Sequence, residues 1–570
     1  MCFRISLLLV LSAVTPLLVE AGDWTARFDL TVNRIEKAGP PAYTDDFVVA
    51  DAVPHHTRRF TEFSGDVSGR YIGAMALAGQ YSGRSVPALD RIVTKVLANQ
   101  RPDGHFGDPM STDGKIRTAD MAMLWGNGRL LIGLVESYGV SRRADVLAAS
   151  RKLADFFVRI APVLNSEAVR AEYNGDKFAV GYICWTQIIE GAVELYRVTH
   201  DARYLQLAKE LAARTDRHPN QHSHGFLTSV RGVVALYRAT GERAYLEQAE
   251  REWKGVIESG NLDVDGGVPE MFLPAQKRDE GCSEADWLRL SLDLWRATGN
   301  RKYLEAAEHT LFNEFAYNQF HTGDFGHHVA SDNGYGPVFA RAWWCCTFHG
   351  LRAMVDVLEN AFREENGAVE YNLPVDGRTG GVRARSSLER DGTVRLEVSR
   401  AIARLRLRVP EWAESVTVSV DGRKAGAAPR EGYVEIAVEA GDTVAIQYAL
   451  RTGVVRNKEG NKVAVFRGPW LLAADEAASP AYFDEPMVQN QVSLPPQPRA
   501  HATGAGPFSV PAAHMELRYL PGGYPMQPAT ALLRPIAEHT GSPDGNPVEW
   551  WLPVKPEKAR LDANYAPQKP

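Results

Sequence analysis

A six-residue phrase written three times constrains this chain more than any other feature. Leu195-Tyr196-Arg197-Val198-Thr199-His200 runs on to Tyr204, Leu205 and Ala208, and Leu236-Tyr237-Arg238-Ala239-Thr240-Gly241 to Tyr245, Leu246 and Ala249. Leu294-Trp295-Arg296-Ala297-Thr298-Gly299 runs on to Tyr303, Leu304 and Ala307. Each copy reads as a helix end, a tight turn and a new helix. Gly241 and Gly299 stand where a helix closes on a left-handed residue, and the following Tyr, Leu and Ala share one face. Weaker copies surround Tyr81-Ser82-Gly83 and Tyr138-Gly139, giving five or six helical hairpins at intervals of about 40 to 60 residues. One hairpin cannot bury its apolar face alone, so the pairs must stack, either as an open solenoid or as a closed ring. The closed (α/α)6 barrel is the expected form, with the loops at one end surrounding a pocket.

The helical period holds from about Phe60 to Phe362 and then changes. After Glu365-Asn366-Gly367 apolar and polar residues alternate through Thr393–Val398, Leu405–Val409 and Val416–Val420, with Asp391-Gly392 and Asp421-Gly422 as hairpin turns. The strand Val463-Ala464-Val465-Phe466 is followed by many prolines and few periodic segments. The expected fold is multidomain α + β: a barrel over 22–365, a β-sandwich over 366–455, and a C-terminal irregular β region over 456–570. No low-complexity linker separates them, so rigid joining is expected.

The N-terminus carries Arg4, an apolar run from Ile5 to Val19 broken by Pro16, and Val19-Glu20-Ala21 before Gly22, the pattern of a signal peptide over 1–21. The run falls short of the roughly 20 residues of a spanning helix, so a secreted or periplasmic protein without a membrane anchor is expected. A net charge of -6 with no dominant basic run leaves a nucleic-acid partner no electrostatic footprint.

Of five cysteines, Cys2 lies in the leader, and three of the others fall in Glu280-Gly281-Cys282 and Trp343-Trp344-Cys345-Cys346-Thr347-Phe348-His349-Gly350. Three thiols and a carboxylate form a soft, anionic, four-ligand set of the kind Zn²⁺ accepts. The alternative is oxidation, with Cys282 bridged to Cys345 or Cys346 and Cys184 taking the remaining thiol. Cys184 reads more simply as a small buried hydrophobe in an apolar helical run.

Barrel, cysteine set and β-sandwich together resemble glycoside hydrolase family 127, whose founding activity is a non-reducing-end β-L-arabinofuranosidase. The likeness covers most of the chain after the leader. Gln100-Arg101-Pro102-Asp103-Gly104-His105-Phe106-Gly107 resembles the family's loop of glutamine, two variable residues, aspartate and glycine. Gly266-Gly267-Val268-Pro269-Glu270-Met271-Phe272 is similar to its glycine-glycine segment ending in glutamate. Leu407-Arg408-Val409-Pro410-Glu411-Trp412 and Phe466-Arg467-Gly468-Pro469 resemble family segments of the sandwich, and the double cysteine is the most specific match.

The resemblance implies that Glu280, Cys282, Cys345 and Cys346 hold Zn²⁺, that Cys345 is the nucleophile, and that Glu270 is the general acid and then the base. It also implies a substrate-binding histidine at His222, with His224 the near alternative. Trp344, beside Trp343, offers an aromatic face to a sugar or belongs to the core; Asp103 and His105 line the pocket rim or simply make a turn. Two departures bear on the substrate: Thr347-Phe348-His349 follows the cysteine pair where proline-proline-asparagine is common, and Gly128-Arg129-Leu130 stands where glycine-histidine-leucine is common. Arg129 and His349 would favour a carboxylate-bearing sugar, unless Arg129 is a structural ion-pair residue on a helix face.

The expected function is an exported retaining glycosidase acting on an oligo- or polysaccharide. Two other classes fit the same scaffold: a carbohydrate-binding protein without turnover, and a polysaccharide lyase using Tyr335 or His222 as its base.

Overall fold

In the computed structural model the described residues are 23–37, 42–111, 114–174, 179–273, 278–330, 333–483, 491–492, 504–515, 521, 526–539 and 548–554. The leader expected over 1–21 lies outside them.

The repeated phrase builds the same corner each time. Thr199, Thr240 and Thr298 each donate a hydroxyl hydrogen bond to the carbonyl four residues earlier, of Leu195, Leu236 and Leu294. Each hydroxyl then accepts the backbone N–H two residues on, from Asp201, Glu242 and Asn300. The helix ends on a left-handed residue, Gly241 at φ 74°, Gly299 at 69° and His200 at 56°, which turns the chain by a route most side chains avoid. Asp201 and Asn300 then cap the next helix through their side chains.

Twelve helices form the barrel: α1 Trp24–Glu36, α2 Asp66–Ser82, α3 Pro87–Leu97, α4 Thr118–Ser141, α5 Ala144–Leu164, α6 Ile189–Thr199, α7 Ala202–Ala212, α8 Ser223–Thr240, α9 Arg243–Glu258, α10 Gly281–Thr298, α11 Arg301–Thr310 and α12 Trp344–Asn360. The inner helices α2, α4, α6, α8, α10 and α12 each pack on the next, and α12 packs back on α2, so the ring is closed. Each is backed by the helix that follows it, and α12 by α1. The inner position explains the composition of α4, whose residues Met121–Val135 are all buried, where the outer α7 and α9 keep one apolar face.

Between α11 and α12 the chain makes a hairpin of β1 Gly326–Ala330 and β2 Gly334–Ala342. The sandwich follows, from β3 Phe362–Glu365 and β4 Ala368–Tyr371 through β5 Gly377–Thr379, β6 Val382–Ser387, β7 Thr393–Val398, β8 Ile402–Arg408, β9 Ala413–Val420, β10 Arg423–Lys424 and β11 Tyr433–Val438 to β12 Thr443–Leu450. One sheet runs β10-β9-β12-β7-β6-β5 and the other β11-β8-β4-β3, with β4 parallel to β8. Asp421-Gly422 makes the expected two-residue turn, with Val420 opposite Arg423. Asp391-Gly392 also lies in a hairpin, since β6 and β7 pair antiparallel, but the loop is a single helical turn, Leu388–Asp391, closed by Gly392.

The sandwich is fixed to the barrel by a buried ion pair. Arg408 donates from both terminal nitrogens to Glu308 of α11, at 2.9 and 3.0 Å, and Trp412 Nε1 donates to the same carboxylate at 2.9 Å. The C-terminal region returns to the barrel mouth: Val548-Glu549 pairs with β2 at Tyr335 and Gly334. Among the described residues no helix is long and apolar enough to cross a membrane.

Candidate active site

Three inner helices begin at one mouth, and their first turns bring the chemistry together. α10 starts behind Glu280 with Cys282 in its first turn, α12 starts behind Trp343 with Cys345 and Cys346 in its first turn, and α8 starts behind His222. Unpaired N–H groups at a helix start favour negative charge, and thiolates and a carboxylate supply it.

Glu280, Cys282, Cys345 and Cys346 each place one donor atom within 4.8 Å of the others. Cys282 and Cys345 Sγ lie 3.7 and 3.9 Å from Cys346 Sγ, far beyond the ~2.05 Å of a disulfide, and all four cysteines of the described residues are free. The oxidised alternative therefore gives way. Cys184 is apart from the cluster, buried and donating to the Ala179 carbonyl. Gly281 permits the close approach, because a Cβ there would stand 2.7 Å from Asn318 Oδ1 and 3.2 Å from Cys346 Cβ. Cys282 and Cys346 are wholly buried, whereas Cys345 keeps 8% exposure and is the sulfur a ligand can reach.

Glu270 sits on an extended segment clamped from both sides: its N–H donates to the Arg278 carbonyl and its carbonyl accepts from Ser223 N–H. Its carboxylate lies within 4.8 Å of His222 and Glu280 and is paired at 3.0 Å with Arg278, whose side chain is 41% exposed. Glu280 is thus shared between the sulfur group and the Glu270 group. His222 is neutral, since burial draws it down to about 3. Its Nδ1 accepts from Gly225 N–H, which leaves the Nε2 proton for Glu280 Oε2 at 3.3 Å. His327 completes the wall, with Nε2 3.9 Å from Cys346 Sγ.

Burial opposes ionisation of Cys345, but hydrogen bonds from Cys282 and Cys346 and the charges of Arg70 and His327 outweigh it and hold the thiol well below its ordinary value. Burial pushes Cys282 and Cys346 up instead, so of the three thiols Cys345 is the one its surroundings favour as thiolate. Arg70 stands directly behind, donating to Cys282 Sγ at 3.6 Å. Burial works against its charge, yet Asp66, Cys282 and Cys345 keep it protonated.

Behind Arg70 lies a buried network that revises several expectations. Burial holds His224 and His349 well below their usual value, while Asp286 between them stays ionised despite its own burial. Neutral rings assign the protons: His224 Nδ1–H donates to Asp286 Oδ2 at 2.6 Å and its Nε2 accepts from Arg70 and Arg129. His349 Nε2–H donates to Asp286 Oδ1 at 2.9 Å and its Nδ1 accepts from Arg70. With every ring nitrogen engaged, His224, Asp286 and His349 do not make a metal site although their donors lie within 4.8 Å. His224, Arg129 and His349 are accordingly supports behind the site, not sugar contacts. Arg129, drawn down to about 9 by burial and then by Arg70, is buried against Trp125 and bonded to Thr228, so no carboxylate-bearing sugar is selected by it.

Asp103 and His105 also leave the pocket rim. His105 is buried against Phe156 of the outer helix α5, paired with Asp103 at 2.8 Å, and Arg159 of that helix donates to the Asp103 carbonyl. Trp344 is half-buried, stacked on Trp343 at 4.5 Å and edged by Phe47 and Phe60; it is Trp343 that reaches His327. Tyr335 donates to Asp279 Oδ2 at 2.7 Å and burial raises it well above its usual value, which removes it as a lyase base. Sequence reasoning missed Arg70, Asp286, Arg278 and His327. Asp286 had a signal, one helical turn after Cys282, and so did the pair His327-His328.

Residues 25–359 match the family described as beta-L-arabinofuranosidase, GH127 catalytic domain, and residues 373–451 match the GH127 middle domain. A curated relative, the non-reducing end beta-L-arabinofuranosidase of Bifidobacterium longum subsp. longum, is 25% identical over 471 residues, which are 73% of this chain and 65% of that protein. The chain thus spans a little under two thirds of the length of the curated relative it matches. Two solved structures share the fold: a GH127 beta-arabinofuranosidase at 19% identity and TM-score 0.70, covering 93% of this chain and 95% of that one, and a GH127 beta-L-arabinofuranosidase from Geobacillus stearothermophilus T6 at 16% identity and TM-score 0.68, covering 93% and 99%. With the catalytic-domain match running through the whole barrel and into the cysteine pair, the chain belongs to glycoside hydrolase family 127.

Proposed function

We propose that this protein is a retaining glycoside hydrolase that removes a non-reducing-end sugar, of the β-L-arabinofuranoside class, through Cys345 as nucleophile and Glu270 as proton carrier. The observation that supports this most is the convergence of Cys345, the least buried of the three clustered cysteines, with the Glu270 carboxylate across a shared neighbour, Glu280. Retention needs a nucleophile and a proton donor disposed about one anomeric carbon, and a thiolate here takes the place of the second carboxylate. The substrate class rests on the names of the relatives.

The donor set fits Zn²⁺, since three sulfurs and one carboxylate oxygen converge from two helix starts in a buried, anionic site. Bound by Glu280, Cys282, Cys345 and Cys346, the ion would keep thiols deprotonated and make sulfur a better leaving group.

Cys345 thiolate attacks the anomeric carbon while the glycosidic C–O bond breaks, and Glu270 gives its proton to the departing oxygen. Glu270, now a carboxylate, takes a proton from water; the water oxygen attacks the same carbon, the C–S bond breaks, and Cys345 leaves as thiolate. Arg278 fixes the direction of the Glu270 carboxylate, and His222 fixes that of Glu280. Export belongs to the same reading, and a mature protein beginning at Gly22 is its test.

Turnover of an aryl β-L-arabinofuranoside tests the assignment. Cys345→Ser should abolish it, and Glu270→Gln should lower it by roughly 10²- to 10⁴-fold. Full activity in Cys345→Ser would end the proposal.

A further inference from the structure

Asp279 precedes the Glu280 ligand and belongs to a second buried group that bond cleavage does not use. Asp265, Asp279, Glu284 and Glu314 are all buried, and among the described residues the one ion pair any of them makes is that of Asp279 with His328. Asp279 is well supplied, accepting from the N–H of His328, from Tyr335 Oη at 2.7 Å and from His328 Nδ1 at 3.2 Å. Asp265 accepts from Gly267 N–H at 2.9 Å. Glu284 meets only Asn318, at 3.4 Å on one oxygen, and its other oxygen has no hydrogen-bond partner.

Glu314 is the exception that points to a ligand. Its side chain is fully buried, and apart from the neighbouring carboxyls neither oxygen has a hydrogen-bond partner. A donor atom of Glu314 nonetheless lies within 4.8 Å of donors from Asp279 and His328. It occupies a π-helical turn, Leu311–Phe315, an irregularity found frequently at functional sites. Buried carboxyls crowded together in this way oppose one another's ionisation. Such a group is relieved by shared protons or by a cation. His328 Nδ1 serves Asp279, but its buried Nε2 has no hydrogen-bond partner, unlike the fully engaged rings of His224 and His349, and mixed nitrogen and oxygen donors are a metal's preference.

We propose that Asp279, Glu314 and His328 form a second divalent-cation site, separate from the cysteine group and suited by its harder donors to an ion such as Mn²⁺. Asp265 and Glu284 add negative charge around it. The site joins three segments: Asp279 leads into Glu280, the Asp265 carbonyl accepts from Glu314 N–H at the head of the loop that reaches Glu270, and Glu314 ends the barrel's last outer hairpin. An ion here would set the distance between Glu270 and Glu280 from behind.

The test uses the full chain in a Cys346→Ser background, which disables the sulfur site, titrated with Mn²⁺ alone and followed by the electron paramagnetic resonance signal of free Mn²⁺ and by thermal unfolding. One equivalent should disappear from the free signal, with a rise in Tm. Glu314→Gln, nearly isosteric and relieved of a charge, should stay folded and lose both effects, as should His328→Gln. An undiminished free signal in the Cys346→Ser protein, or equal Mn²⁺ uptake with and without Glu314→Gln, would overturn the proposal in favour of shared protons.

Discussion

Asp286 takes an N–H from each of two buried imidazoles, and those imidazoles in turn face Arg70 behind the sulfur group. In Asp286→Asn the amide turns a donor toward one of those N–H groups and the compensating charge is lost. The expected destabilisation is about 3 to 5 kcal/mol, as for one partner removed from a buried charge pair, and urea unfolding measures it. The same residues set a pH dependence. His224 and His349 are held well below 6.5 and Asp286 well below 3.8, so the unfolded chain takes up protons that the folded chain refuses, and stability falls as pH falls. For the two histidines the loss begins near pH 6.5 and reaches about 4 kcal/mol between pH 7 and pH 5, at ~1.36 kcal/mol per unit each; a stability profile over that range, flattened in His349→Gln, checks it. Cysteines and a glutamate could be read from the sequence because their chemistry is local to short, unusual phrases. Arg70 and His327 could not, because they matter only through where separate elements meet. Arg129 and His349, read as departures from family segments, stand in the same buried network for a reason no segment shows: their partners come from other helices.

The repeated corner makes a prediction for each helix pair. Replacing Thr199, Thr240 or Thr298 by Val removes one hydroxyl that serves both a helix-end carbonyl and the next N–H. Each change should cost about 1 kcal/mol, and the three together about 3, since distant sites add; equilibrium unfolding of singles and triple decides it. This element was legible because a helix end, a left-handed residue and a cap are all chosen by local chemistry. The first copies were legible only in part: near Tyr138-Gly139 the helix runs on to Ser141 and closes on Arg142 at φ 56°, since burial along α4 overrides the helix-breaking tendency of Gly139. The hairpin expected at Asp391-Gly392 is there, but with a longer loop: Ser387 and Thr393 pair across it, and the single turn Leu388–Asp391 stands between them.

Across the whole molecule, Arg408 and Glu308 tie the sandwich to the barrel. Arg408→Met leaves the Glu308 carboxylate buried with only Trp412, so a loss of about 3 to 5 kcal/mol is expected, whereas cutting the exposed Arg404–Glu435 pair should leave stability unchanged; denaturant midpoints of the two variants compare them. The change of period fell one strand late, because β3, Phe362–Glu365, already belongs to a sandwich sheet and is too short to show alternation. The return of Val548-Glu549 to β2 left no mark, because a two-residue strand has no periodicity and its partner lies more than two hundred residues away. The proposed function turns on the placing of one sulfur. The direct measurement is peptide mass spectrometry of Glu270→Ala protein quenched during reaction with an aryl β-L-arabinofuranoside bearing an activated leaving group, where loss of the second-step base should let the covalent species accumulate. The account predicts a glycosyl adduct on the peptide at Cys345, absent in Cys345→Ser; an adduct on Glu280, or turnover that persists without Cys345, would contradict it.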